Sequence, residues 1–148
     1  MKRKIKFRGK NPQTNYWVVG GYYKHLKRTP NPIGDSIKEE DYQSLIMTSG
    51  FSDWNMLNNI ECFEVDEKTV GQYIGLKDKN GKEIYEGDIV KIKYGIEIIK
   101  YFDKEARFRI TNYNSGSDKI SDYIYDGGLE VIGNIYENKD LLRNREEE

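Results

Sequence analysis

At 148 residues, 33% charged and 36% apolar, with a mean hydropathy of −0.85, the chain is polar yet long enough for one cored domain. Aromatic residues at 13%, mostly the twelve Tyr, supply large apolar surfaces and argue against a disordered chain. One Cys and one His exclude an internal disulfide and a dedicated His/Cys zinc site.

The net charge of −1 hides an asymmetry. Nine of the 24 basic residues and none of the 25 acidic ones fall within residues 1–30, leaving 15 basic against 25 acidic in the remainder. Such a split hints at a polyanion partner; its plainer meaning is that the basic segment pairs with the acidic remainder. No apolar run follows Lys2-Arg3-Lys4, and no stretch approaches the ~18 apolar residues of a membrane span, so a cytoplasmic, membrane-free protein is expected.

In chain order, Ile5 and Phe7 alternate with Lys4, Lys6 and Arg8, the period of a half-buried strand. Gly9 to Asn15 reads as a turn, Tyr16 to Val19 as the returning strand, and Gly20-Gly21 as its break, with Tyr22 and Tyr23 able to resume pairing before Pro30 and Pro32 end it. Residues 31–41, with Pro32 and Gly34 just after Pro30, read as a loop, and Tyr42 to Met47 as a strand. Residues 48–59 read as a packed loop or short helical turn. Ile60 to Val65 alternates again, with either Cys62 or Phe63 on the core face. Asp66 to Val70 suggests one helical turn behind an acidic cap.

The densest turn signals follow. Asn80-Gly81 predicts a type I′ hairpin turn, and Glu86-Gly87-Asp88 a second turn. Ile89 to Tyr94 reads as a strand with Val90, Ile92 and Tyr94 on one face and Lys91 and Lys93 on the other. Ile96 to Phe102 returns, and Asp103 to Glu105 turns. Ala106, Phe108 and Ile110 then point inward, with Arg107 and Arg109 outward. Residues 112–122 read as a loop, and Tyr123 to Tyr125 as a short strand or helical turn. Leu129 to Tyr136 closes the series, with Gly133 permitting a bulge. Asn138 is placed as the cap of a short helix through Arg143.

The expected fold is therefore mainly β with some α+β character: antiparallel strands, a small SH3-like barrel in the C-terminal half, and a short terminal helix. Residues 1–65 form a β-rich region with variable loops, 66–137 the barrel-like region, and 138–148 the helix and tail, expected to make one compact unit.

Three blocks carry a resemblance: Ile5 to Arg8; Thr69 to Val90; and Glu130 to Asn138, followed by Leu141-Leu142. In these the chain resembles the YopX family of phage and prophage proteins. The middle block is long and specific; residues 10–65 and 103–128 follow the pattern far less. The resemblance implies a small β-rich accessory protein acting in a bacterial host cell, and brings no catalytic residues with it. Glu86-Gly87-Asp88-Ile89-Val90 is also similar to the loop-to-strand entry of SH3-like barrels, a likeness of fold alone.

No catalytic set emerges, and neither a cofactor nor a metal site is expected. Cys62 as a nucleophile would require His25. Asp66-Glu67 or Glu83, Glu86 and Asp88 could hold a magnesium ion, which keeps an enzyme with an acidic metal site as the outside alternative. No phosphate-loop, dinucleotide or hydrolase motif is present. The leading expectation is a non-catalytic binding module for a phage or host protein, or for a second copy of itself, with Phe51, Trp54 and Met56 as anchors. The alternative is a nucleic-acid-binding protein using Lys4, Lys6, Arg8, Lys91, Lys93, Arg107 and Arg109.

Overall fold

A computed structural model describes residues 2–50, 52, 54, 57–111, 119–125 and 127–143. The fold is mainly β, with antiparallel strand pairs and short helices. The chain divides into two compact units, Lys6–Val70 and Met1–Ile5 with Gly71–Glu148.

The first unit contains β1 (Phe7–Lys10), β2 (Trp17–Leu26), β3 (Tyr42–Ser49), β4 (Ile60–Glu64) and the opening residues of β5 (Asp66–Lys77), in the order β4-β3-β2-β1-β5. Two expectations are corrected here. Gly20-Gly21 does not break β2, which runs straight through to Leu26. Gly20 serves packing: a Cβ there would collide with the Met47 carbonyl oxygen of β3. Nor do residues 66–70 form a helical turn. Asp66 caps as expected, accepting the Lys68 amide at 3.1 Å, but β5 already begins there.

The order forces the sheet to curl. Only Val65 separates β4 from β5, although they stand four positions apart in the sheet. Four interstrand steps in a flat sheet would span ~19 Å, whereas one residue reaches ~3.5 Å. The two ends meet at Val65, 4% exposed, whose amide donates to Ser44 O at 2.9 Å and whose side chain lies on Gly9. The Lys10 amide, donating to Thr69 Oγ1 at 2.8 Å, fastens β1 to the start of β5. The inner face carries Phe7 stacked on Tyr22 at 5.6 Å, Ser44 bonded to Tyr22 at 3.1 Å, and fully buried Ile46. Of the two residues proposed for the core face of β4, Phe63 is half-buried and Cys62 exposed.

The second unit continues β5 and adds β6 (Glu83–Tyr85), β7 (Asp88–Ile92), β8 (Gly95–Phe102), β9 (Arg107–Ile110), α1 (Ile120–Tyr125), β10 (Glu130–Asn134) and α2 (Asp140–Arg143). Four strands pair in the order β10-β7-β8-β9. Val90, Ile92, Ile99, Ile110 and Val131 on one face pack with Ile84, Leu129 and, from α1, Ile120 and Tyr123. Tyr123 to Tyr125 therefore takes its helical alternative, because its apolar side closes this core. The register of β10 on β7 shifts between Val131 and Gly133, the expected bulge.

Several details depart from expectation. At Asn80-Gly81 only Gly81 has positive φ (81°), so the turn is not type I′. Asp78 and Lys82 instead close a three-residue loop, with the Asp78 amide donating to Lys82 O at 2.8 Å and Gly81 in the left-handed position. Tyr94 does not join Val90 and Ile92; it forms the β7–β8 turn with Lys93 and is 63% exposed. Ala106 is exposed and left-handed (φ 50°) rather than inward. Asn138 does not cap α2, which starts at Asp140; its Oδ1 accepts the Asn134 amide at 3.1 Å, beside Gly133, where a Cβ would stand 2.6 Å from that oxygen.

Candidate functional site

The outer face of the first unit's curled sheet is where sequence and structure disagree most usefully. Paired residues in a sheet point to the same side, and neighbours along a strand alternate. The registers Tyr23↔Leu45↔Glu64 and Gly21↔Met47↔Cys62 thus put Val19, Tyr23, Leu45, Met47, Ile60 and Cys62 on one surface, opposite the core, together with the polar Gln43, Ser49 and Glu64. Tyr23 is 52% exposed and Ile60 76%, with Val19, Met47 and Cys62 also exposed. At one end Arg8 lies 4.8 Å over the Trp17 ring, and at the other Tyr23 packs against His25 at 5.8 Å. Outer sheet faces are ordinarily polar; this one carries several exposed apolar side chains among its polar ones. Adjacent apolar pairs, Val18-Val19, Tyr22-Tyr23 and Leu45-Ile46-Met47, are its trace in the sequence. In a strand they require both faces to be apolar.

A second feature flanks β2 and β3. Lys24 Nζ donates to Glu39 Oε2 and Glu67 Oε1, both at 2.8 Å, and the two carboxylates hold it above the usual lysine range. Arg28 bonds Asp41 at 2.8 and 2.9 Å and Asp35 at 2.5 Å. The guanidinium, with the Lys38 amide, lowers Asp41 to about 2; the guanidinium and the Asn31 amide lower Asp35 as well. Two residues of the basic N-terminal segment thus answer four carboxylates, the pairing its charge asymmetry suggested. They tie down the loop that carries Ile33, 85% exposed.

The expected nucleic-acid residues divide between the units: Lys6 and Arg8 in the first, Lys4, Lys91, Lys93, Arg107 and Arg109 in the second. Within the second unit, register puts Lys91, Arg107 and Arg109 on one side of the sheet and adds Lys100, which the sequence reading did not include. Lys93 sits in the hairpin turn, 5.5 Å over the Tyr94 ring. Arg109 lies on that outward side as expected but is not exposed to solvent. It is 4% exposed, stacked 5.0 Å over Phe102 and paired with Glu105. Lys100 stands directly opposite Arg109, a repulsive pairing that the Glu105 carboxylate offsets. Glu105 also takes Arg107 Nε at 2.7 Å, and the two guanidinia hold its carboxyl below the ordinary range.

Of the expected protein-binding anchors, Trp54 is 92% exposed, while Phe51 and Met56 lie outside the described residues. Cys62 and His25 share the outer face but stand two strands and four residues of register apart, roughly 16 Å. His25 lies within β2, not in a loop. Asp88, buried, accepts the Tyr85 amide at 2.8 Å and shapes the β6–β7 turn. Among the described residues no cluster of three His, Cys, Asp or Glu could hold a metal ion. No helix among them is long and apolar enough to cross a membrane.

Fold and surface define a small antiparallel β protein with exposed apolar side chains on one sheet face among the described residues. The chain matches the family model described as YopX protein over residues 6–143 and belongs to that family. It is similar to the crystal structure of protein EF1440 from Enterococcus faecalis, with a TM-score of 0.55 and 25% identity over 95% of this chain and 99% of that one. No curated protein matches its sequence.

Proposed function

We propose that the chain is a non-catalytic, protein-binding accessory module of phage or prophage origin that works in the cytoplasm of a bacterial host, and that the outer face of its first unit is the binding surface. The observation that carries this reading is the exposed set Val19, Tyr23, Met47 and Ile60 on a sheet whose opposite face already supplies the core. Burying such a set against an apolar partner is worth about 25 cal/mol per Å² removed from water. An SH3-like character of the second unit belongs to the same proposal and rests on Gly87-Asp88 turning a loop into β7.

The test is capture from host lysate by the immobilised chain and by Tyr23→Glu/Met47→Glu. Specific partners retained by the parent and lost by the variant, with matching circular dichroism, support the reading. Equal capture by both overturns it.

A second reading, nucleic-acid binding, rests on Lys91, Lys93 and Lys100, all exposed in the second unit, beside Tyr94. Here a low-salt mobility shift, weakened by Lys91→Glu/Lys100→Glu, is the expected result; no shift with single- or double-stranded DNA or RNA rejects it.

A further inference from the structure

We infer that two copies of the chain associate by antiparallel pairing of β4 with its own symmetry mate, centred on Cys62. The inference rests on the first unit being a protein-binding module and names one partner and its register.

β4 is the terminal strand of its sheet. Its ladder with β3 runs without a shift from Leu45↔Glu64 to Ser49↔Ile60. The Val65 amide donates to Ser44 O and the Gly50 amide to Asn59 O, so these flanking pairs are the hydrogen-bonded ones. Alternation along the ladder then makes Phe63 and Glu61 the β4 residues whose backbone groups face β3. Ile60, Cys62 and Glu64 direct their N–H and C=O groups to the open edge. The strand has no Lys, no Pro and no bulge at its edge, and its only charges are Glu61 and Glu64, so a pairing register must keep those carboxylates apart.

One register suits this edge. With Cys62 opposite its mate, Ile60 meets the mate's Glu64 and Glu61 the mate's Phe63. All the outward groups are used, and no like charges stand opposed. A shift toward Ile60 sets Glu61 against its own mate, which is repulsive. A shift toward Glu64 shortens the ladder and leaves Ile60 out. The symmetric register also extends the apolar outer face from one copy to the next through Ile60 and Cys62. The arrangement is isologous and closes at two.

Sedimentation velocity over a wide concentration series tests the inference. The weight-average mass is expected to rise from 17.4 kDa toward twice that value. Ile60→Glu, which opposes the mate's Glu64, is expected to weaken association about tenfold, whereas Ile60→Lys, which pairs with it, keeps or strengthens it. Both substitutions fall on an exposed side chain and leave the fold intact. Diamide then reports the register. Two Cys62 thiols give it two electrons and two protons, forming one disulfide and the reduced hydrazine. The parent cross-links readily, and Cys62→Ser/Glu61→Cys does not. A chain monomeric at every concentration, equal weakening by Ile60→Glu and Ile60→Lys, or equal cross-linking at both positions overturns the inference. A monomer that still captures a host protein through Tyr23 and Met47 sinks the dimer alone; a dimer that captures none sinks the host-partner reading alone.

Discussion

A Cβ placed on Gly9 would lie 2.8 Å from both Cβ and Cγ2 of Val65, where the two ends of the first unit's sheet meet. Val65 is 4% exposed and held through its own backbone, so it has little room to yield. Gly9→Ala is expected to cost about 1–3 kcal/mol through overpacking. Val65→Ala is also destabilising, yet the double variant should be less damaged than the sum of the two. Urea unfolding of the four proteins measures this coupling, and strict additivity would contradict the contact.

Asp78 is the polar counterpart of that junction in the second unit. Its buried carboxylate accepts the amides of Asn80 at 2.8 Å, Lys82 at 2.9 Å and Val131 at 3.0 Å, joining the β5–β6 loop to β10. Burial alone would raise its pKa, but the three amide donors outweigh burial and leave it below the ordinary 3.8. The folded value is depressed, so the stabilisation is complete above the unfolded pKa and is lost as pH falls through the folded one. Asp78→Ala should cost about 2–4 kcal/mol at neutral pH by stranding the donors. Asp78→Asn should flatten the loss of stability in the acid range, read from urea midpoints against pH. An unchanged acid slope would refute the assignment.

Arg28 organises a loop without supporting the core. Its partners Asp35 and Asp41 are surface residues, so Arg28→Ala should leave the unfolding midpoint essentially unchanged. Proteolysis should nevertheless accelerate between residues 29 and 40, located by mass spectrometry. Cleavage at the parent's rate would show that the loop is ordered by something else. Asp41, at about 2, implies that the clamp survives mild acid and opens only as pH falls through that value.

The apolar outer face gives a further expectation that needs no partner. Tyr23→Glu/Met47→Glu should alter stability by no more than about 0.5 kcal/mol, since both side chains are exposed. Binding of an apolar fluorescent dye to the native protein should fall. A large stability loss would mean that these residues belong to the core.

Much of this molecule is legible in its residues. β1, β4, β7 and β9 follow from alternation, β3, β8 and β10 from apolar runs between turns, and the bulge at Gly133 from a glycine within a strand pattern. Three of the errors share a cause: the position's role is set by a particular partner residue, near or far in the chain, that an alternation pattern does not see. Gly20 reads as a breaker until Met47 is known to cross it. Arg109 reads as solvent-facing until Glu105 and Phe102 enclose it. Asn80-Gly81 carries the commonest hairpin signal, but Asp78 accepting amides across its own loop selects another turn. The outer face was missed because a period-two reading assigns one apolar side to each strand. Val18-Val19 and Tyr22-Tyr23 are the positions where that assumption fails.

The single-residue link between β4 and β5 also sets a clock. β1 finds its β5 partner only across the 59 residues that separate Lys10 from Thr69. At ribosomal speeds of 5–20 residues per second, that delay is about 3–12 s. Throughout this interval β1 has a hairpin partner on one side and an unmatched edge on the other. Closure needs residues 65–70, so the sheet of the first unit is expected to close only after they have emerged. Truncation just before Val65 would strand the chain at that stage, with four strands made and their seam open.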